Sequence, residues 1–384
     1  MQNETAKPLS DRERLDWLRL IRSENVGPVV FRQLLQRFGT PGAALAELPA
    51  LAGRGGARRR IRLCTNEQAE AEMTAARKAG VRLLALCEPD YPALLRSIDD
   101  APPVVAVLGD PAVLSLPAVG IVGARNASAN GRRFAETLAR ELSETGFAVV
   151  SGMARGIDTA AHKGSLAHAS VAVLAGGADI IYPPENADLH NNLQQAGAII
   201  SEMPLGTTPQ ARHFPRRNRL ISGLCLGIVV VEAARRSGSL ITARFAAEQG
   251  RDVFAVPGFP LDPRAAGCNH LIREGATLIE SAAQVLEDLG RFAHRPLNLP
   301  EEPPSPEAVP AQPSEHSNPD ENMYRDVEGL LGAEPLMVDD LIRRSGLPVA
   351  TIHSILLDLE LAGRIERHPG NRVARLYKAP ANPL

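Results

Sequence analysis

The chain predicts an α/β fold: an extended Rossmann-like, mostly parallel sheet, flanked by a small N-terminal helical domain and a C-terminal winged-helix domain. Three observations carry that expectation. Short apolar runs alternate with helix-patterned stretches through the middle of the chain. Turns bearing glycine and arginine follow those runs, and both ends read as short helical modules. The corresponding boundaries are 1–80 for the helical domain, 81–295 for the Rossmann-like part, 296–320 for a proline-rich linker and 321–384 for the winged helix.

A length of 384 residues suits two or three domains. Hydrophobic residues at 44% and charged residues at 22% describe an ordinary globular composition. The net charge of −2 gives no global basic signal, so any nucleic-acid surface is local. Aromatics at 4% argue against a long stacking groove. Cys64, Cys87, Cys225 and Cys268 form neither a CxxC pair nor a metal-ligand spacing. A reduced, cytoplasmic protein is expected. Residues 1–10 hold no apolar signal-peptide core, and no run approaches the roughly 18 residues that span a bilayer, so no membrane association is expected.

The elements follow in order. Residues 11–79 look helical, with 14 Lys/Arg against 9 Asp/Glu over residues 1–80. Leu18, Ile21, Val26, Val29, Leu34, Leu35 and Phe38 form an apolar pattern broken at Asn25-Val26-Gly27-Pro28. Helix, glycine turn, helix is the pattern of a helix-hairpin-helix module. Such a turn either presents its N–H groups to a phosphate or belongs to a domain that merely packs. Strand candidates are 119–122, 148–150, 171–174, 198–200, 228–231 and 253–256. Helices fit near 131–145, 159–168, 187–195, 218–224 and 239–249. Apolar strands with crossover helices imply a sheet buried on both faces, and ligands of such sheets bind beyond the carboxyl ends of the strands. Residues 296–319 carry eight prolines among Glu, Ser, Ala and Asn, a composition that stays extended. After them, 338–344 and 350–362 read as helices around a Ser345-Gly346-Leu347-Pro348 turn, and 364–377 as a hairpin around Pro369-Gly370-Asn371. Helix-turn-helix plus hairpin is a winged helix. Its second helix carries Asp358 and Glu360 and no Lys or Arg, whereas the wing carries Arg364, Arg367, Arg372 and Arg375. That charge pattern favours protein contact, regulation or duplex contact through the wing over base reading by the helix.

The chemistry concentrates at the strand ends. Gly120-Ile121-Val122-Gly123-Ala124-Arg125 and Ser151-Gly152-Met153-Ala154-Arg155-Gly156-Ile157-Asp158 each close an apolar run with a glycine turn and an arginine. Glycine lets backbone approach an anion, and the N–H groups opening the next helix lack partners. Gly123, Arg125, Ser151, Gly152 and Arg155 are therefore candidate phosphate contacts. The first turn is not GxGxxG, and no acid stands about 20 residues on to hold a ribose, so a dinucleotide is disfavoured and no cofactor is expected. Asp158 reads as the N-cap of the following helix rather than as a catalytic base.

The densest basic cluster is 211–219, where Arg212, Arg216, Arg217 and Arg219 interleave with Phe214 and Asn218 ahead of an expected helix. Arginine forks bind phosphate bidentately, and Phe214 can stack a base. Arg219 can instead pair with a core carboxylate. Ser237, Gly238 and Ser239 open a helix and form a further anion seat, and the Gly267-Cys268-Asn269 loop adds Asn269 as a polar contact. His162 and His168 read as surface or core histidines without zinc-site spacing, and His190 and His213 have no legible partner. No nucleophile–base pair and no metal site stands out, so no enzymatic activity is expected.

Gly123-Ala-Arg125, Ser151-Gly-Met-Ala-Arg155-Gly-Ile-Asp158, Tyr182-Pro-Pro-Glu-Asn186, Phe214-Pro-Arg-Arg-Asn-Arg219 and Ser237-Gly-Ser-Leu-Ile-Thr-Ala-Arg244 occur in this order. Together they resemble the DNA-processing protein A family, also called DprA or Smf. The resemblance covers the whole middle domain, and the helical front and winged-helix tail match a common architecture of that family. It implies a dimeric bacterial single-stranded-DNA-binding protein that protects incoming strands in natural transformation and loads the RecA recombinase. It also implies that Gly123, Arg125, Ser151 and Gly152 hold phosphates, that Phe214 stacks or wedges against a base, that the 212–219 cluster supplies cations and that Asn269 adds a polar contact. Two departures stand out. The family often has a lysine shortly before the Phe-Pro step, where Arg212 and Arg216 flank Phe214 here. Its first motif usually reads Gly-Thr-Arg, where Ala124 lacks the hydroxyl. The competing enzyme reading is a nucleotide phosphoribohydrolase of the lysine-decarboxylase-like Rossmann class, but the 236–242 loop lacks that class's double glycine and catalytic glutamate. A transcription regulator would need the cations that the second helix of the winged helix lacks.

Overall fold

In the computed structural model, residues 8–57, 59–290, 319–368 and 370–376 are described. The expected linker except Pro319 and Asp320, Pro369 of the hairpin turn and the end of the hairpin at Tyr377 lie outside them. The chain begins with α1 (Asp11–Arg22), α2 (Pro28–Phe38), α3 (Pro41–Arg54) and α4 (Asn66–Lys78). Then come β1 (Val81–Ala85), α5 (Ala93–Arg96), β2 (Val104–Gly109), β3 (Ala118–Gly123), α6 (Ala129–Glu144), β4 (Ala148–Ser151), α7 (Ile157–Ser165) and β5 (Ser170–Val173). They lead into α8 (Ala187–Ala196), β6 (Ala198–Ser201), α9 (His213–Gly223), β7 (Gly227–Val231), α10 (Gly238–Glu248), β8 (Asp252–Ala255), α11 (Ala266–Arg273), β9 (Thr277–Leu278) and α12 (Ala282–Leu289). The last part holds α13 (Glu321–Gly329), β10 (Leu336–Met337), α14 (Val338–Ser345), α15 (Val349–Leu361), β11 (Ile365–His368) and β12 (Arg372–Arg375).

Two compact units result, divided near residue 70 and again after residue 300, so that the N-terminal helices and the winged helix share one of them. The other holds a nine-stranded sheet in the order β1-β2-β6-β5-β4-β3-β7-β8-β9. From β6 to β9 all neighbours are parallel. Every strand expected from the apolar runs lies in this parallel part. The expected strands do not include the antiparallel extension, β1 on β2 and β2 on β6, although Val104–Gly109 is as continuous an apolar run as β3. Alternate residues of each strand serve opposite faces. Val119 and Ile121 pack with Leu138 and Leu142 of α6 and Val285 of α12. Ala118 and Val122 pack on the other face with Leu220 and Ile221 of α9 and Ala243 of α10. Helices on both faces explain why the strands read as continuous apolar runs.

Three local expectations change. Helix α9 begins at His213 rather than at Asn218, because Pro215 falls in the first turn, where its missing N–H breaks no helical bond. The basic cluster is therefore helical and has faces. Asp158 is not the N-cap of α7. Gly156, at φ 84°, holds that position and Asp158 lies inside the first turn. Gly267, Cys268 and Asn269 belong to α11 rather than to a loop, and the Gly267 N–H donates to the Ala233 carbonyl at 2.7 Å.

In the second unit Trp17 and Phe31 meet with ring centroids 4.9 Å apart, joining α1 to α2. The winged helix pairs β10-β12-β11 over a core of Val338, Leu341, Ile352, Ile355, Leu356 and Val373. Three wing arginines are held by acids of the same module. Arg364 and Arg375 reach Glu328 at 2.6 and 3.3 Å, and Arg367 reaches Glu360 at 2.7 Å. Arg372 is exposed.

Candidate nucleic-acid interface

Strand order reverses between β3 and β7, the point where open α/β sheets bind ligands. Here that crevice is already occupied by the protein itself. Glu232, directly after β7 and at φ 51°, crosses to the N-terminus of α6. Its carboxylate accepts from the Ser128 N–H at 2.8 Å and from the Ser128 hydroxyl. The Ser128 oxygen in turn accepts from the Gly131 N–H at 2.9 Å, and a Cβ on Gly131 would fall 2.5 Å from the Glu232 carboxyl carbon. The helix end that would hold a pyrophosphate thus already holds an anion. Nothing in the sequence singles out Glu232. Its role depends on a contact 104 residues away.

The open part of the edge lies on the other side, beyond β3, β4 and β5. Gly156 draws the first two turns together. A Cβ there would sit 2.3 Å from the Ala124 carbonyl oxygen, and its positive φ suits only glycine. Arg125 is exposed, with its guanidinium carbon 5.2 Å from the Phe214 ring centroid. Tyr182, 45% exposed, lies 5.8 Å from the same ring at 51°. Asn186 fixes the Tyr182 loop by donating to the Met153 carbonyl at 2.8 Å and to the Thr159 hydroxyl. These groups rim a pocket floored by Met153, Ala175, Gly176 and Arg217, enclosing about 510 Å³ with the solvent at its mouth included. Tyr182 was not among the expected contacts, standing in the sequence only within a motif. An aromatic between a strand end and a Pro-Pro step is the signal for it. Arg155 is exposed and meets Glu185 at 3.5 Å, a surface pair of little strength.

Helix α9 separates its arginines. Arg212 and Arg216, four apart, are exposed beside half-buried Phe214 and Asn218. Burial, helped by Arg212 and Arg216, holds the His213 pKa below its ordinary value. Arg217 and Arg219 point inward, at 6% and 4% exposure. Arg219 bonds the Glu202 carboxylate, Asp100 at 3.3 Å and the Asp100 carbonyl at 2.6 Å, which turns it from a phosphate contact into a core tie. Arg217 donates to the Val173 carbonyl and faces Asp158. Burial brings Arg217 down to about 10 and lifts Asp158 to about 6, against the pull of Arg217.

Ser151 and Gly152 likewise lie beneath the surface. The Ser151 hydroxyl, fully buried, donates to the Ile121 carbonyl at 2.6 Å, so β3 takes the proton that an anion was expected to receive. A Cβ on Gly152 would fall 2.3 Å from the Arg217 guanidinium and 2.6 Å from the Asp158 carboxylate. His162 closes this layer, 2.7 Å from the Gly152 carbonyl and 2.9 Å from the Ser170 hydroxyl, and burial lowers its pKa to about 4. Gly123 lies against β7, where a Cβ would meet the Val231 carbonyl oxygen at 1.8 Å. At the α10 N-terminus the Ser237 hydroxyl accepts from the Ser239 N–H at 3.4 Å, Ser239 is buried, and Gly238 is exposed with its carbonyl held by the Asn218 amide at 3.2 Å. Asn269 bonds both backbone groups of Gly258, at 2.9 and 3.1 Å, and so fixes the loop ahead of α11.

The profile described as DNA recombination-mediator protein A matches residues 82–290. This chain belongs to the DNA recombination-mediator protein A family. A DprA-like N-terminal HHH domain matches residues 11–75 and a DprA winged helix domain matches residues 303–371. Protein Smf of Synechocystis is 32% identical, covering 96% of this chain and all of its own length. Protein Smf of Escherichia coli is 41% identical over 75% of this chain and 76% of its own. Among solved structures of the family, DNA processing protein A of Streptococcus pneumoniae aligns with a TM-score of 0.61 at 33% identity, covering 73% of this chain and 99% of its own. The Helicobacter pylori protein, described for its single-stranded DNA binding mode, aligns with a TM-score of 0.52 at 28% identity over 56% of this chain and 97% of its own. Among the described residues, no helix is long and apolar enough to cross a membrane.

Proposed function

We propose that this protein binds single-stranded DNA along the carboxyl edge of its sheet, protects incoming strands in natural transformation and delivers them to the RecA recombinase. It does so in the cytoplasm, as a homodimer and without catalysing a reaction. The observation that carries the reading is the cluster of Arg125, Phe214 and Tyr182 around one pocket, with exposed Arg155 on its lining and exposed Arg212 and Arg216 at the start of the helix that carries Phe214. Aromatic faces accept any base and arginine forks accept phosphates, which together make a sequence-tolerant grip on one strand. Family membership and the single-strand binding of the Helicobacter pylori relative support it.

Fluorescence titration with an oligo-dT strand is the test. Affinity falls steeply with salt, and the Arg125→Ala, Arg212→Ala double variant binds about 100-fold more weakly, with a salt slope shallower by about 2. Wild-type affinity in that variant, or tighter binding of duplex than of single strand by the parent, would overturn the proposal. Release of free base from nucleoside monophosphates would move the reading to the phosphoribohydrolase.

A further inference from the structure

Helix α15 holds the place of the helix that winged-helix DNA readers lay in the major groove. A reader of that kind needs a polar, cationic outer face. Here one stripe, Ile352, Ile355, Leu356 and Leu359, fills the winged-helix core. The opposite stripe, Ser354, Asp358, Leu361 and Ala362, is covered by the N-terminal helical module. Arg37 donates to the Ser354 hydroxyl at 3.2 Å. Arg54 donates to the Asp358 carboxylate at 3.2 Å, and the Tyr324 hydroxyl donates to the same oxygen at 2.6 Å. Asp358 is fully buried. A Cβ on Gly55 would fall 2.0 Å from the Asp358 carbonyl oxygen and 3.0 Å from the Ala362 Cβ, so the two backbones are in direct contact.

The turn between α1 and α2 takes part as well. Asn25, at φ 59°, donates to the Leu361 carbonyl at 2.9 Å. The last carbonyls of a helix carry its partial negative charge. In nucleic-acid-binding hairpins this turn faces a phosphate; here it faces the negative end of α15. Residues 11–57, with seven Lys/Arg against five Asp/Glu, thus receive a buried carboxylate and a helix carbonyl end.

We propose that residues 11–57 form a second surface for a nucleic-acid phosphodiester strand, closed in this conformation by α15, with Asp358 and the Leu361 carbonyl standing where phosphate oxygens would stand. The winged helix is then a cover for the helical module rather than a reader of bases. This site is separate from the sheet edge and does not depend on it.

The test uses the full chain on the Arg125→Ala, Arg212→Ala background, so that failure of the sheet-edge reading leaves it intact. In Gly55→Leu the added side chain meets α15 backbone, which cannot yield, so α15 must leave. Hydrogen exchange at the α15 amides reports release, and anisotropy with a fluorescent duplex and with oligo-dT reports binding. Release with at least a tenfold gain in affinity for either form supports the proposal and identifies the form that fits. Adding Arg54→Ala then reverses the gain. Release without a gain overturns it, as does protection of α15 that matches the parent. Should Gly55→Leu fail to fold, Asp358→Lys sets two cations against each other at the same contact and carries the same outcomes.

Discussion

The sheet edge has an outer and an inner layer, and both are rich in the same residue types. In the outer layer Arg125, Arg212 and Arg216 stand exposed beside Phe214 and Tyr182. In the inner layer Arg217 and Arg219 are buried against Asp158, Glu202 and Asp100. Arg216 and Arg217 are neighbours in sequence, yet a helix turns successive residues by about 100° and sends them to different layers. An arginine count therefore does not locate a binding surface; the arginines that acids already hold must be set aside first. The wing of the winged helix makes the same point, since Glu328 and Glu360 hold three of its arginines.

Truncating each of the two neighbours in turn has opposite effects. Arg217→Ala leaves the Asp158 carboxylate buried without its cation, a loss of about 3–5 kcal/mol. Arg216→Ala changes stability by less than about 0.5 kcal/mol and acts instead on DNA, lowering the salt slope by about 1. Urea unfolding and oligo-dT titration of both variants separate the layers. A wild-type unfolding midpoint for Arg217→Ala would remove the inner layer as a distinct entity.

A smaller effect divides the outer layer itself. Phe214→Ala weakens single-strand binding by about 1–3 kcal/mol, the range for losing one stacking platform. Tyr182→Ala gives the lower end of that range, because its ring is tilted at 51° to Phe214 and meets a base second. Tyr182→Phe leaves affinity unchanged if the ring alone is used. Loss of binding in Tyr182→Phe would instead make the hydroxyl a phosphate donor.

The parallel strands were legible because burial on both faces leaves an unbroken apolar run, as at Gly227–Val231. The two edges of the sheet were harder to read. In the antiparallel extension Val81–Ala85 interrupts its run with exposed Arg82, and at the opposite, parallel edge the two-residue Thr277–Leu278 is exposed throughout. Site residues followed the same division. Arg125, Arg212 and Phe214 were legible from composition and position. The inward turn of Arg217, the Ser151 bond to Ile121 and the crossing of Glu232 to Ser128 are tertiary contacts, 30 to 104 residues apart in sequence. No local pattern carries them.

The inner layer also makes a prediction in pH, because its two buried acid–base groups oppose each other. Burial raises Asp158 to about 6, so as pH falls from about 6 towards 4 the folded state takes up a proton that the unfolded state does not, and stability rises. Burial lowers His162 to about 4, so as pH falls from 6.5 the unfolded state takes up the proton first, and stability falls over nearly the same window. In the parent protein the two slopes largely cancel. Asp158→Asn removes the compensating group and leaves the histidine alone. Beyond the constant loss of the Arg217 pairing, the variant then loses a further ~2 kcal/mol relative to the parent between pH 6.5 and 4.5, since each tenfold difference in proton binding between folded and unfolded states is worth about 1.4 kcal/mol. Urea midpoints of the two proteins across that range measure the difference, in which every group they share drops out. Parallel curves would mean that Asp158 carries its charge throughout, with Arg217 outweighing burial, and that the inner layer is an ion pair at every pH where the protein folds.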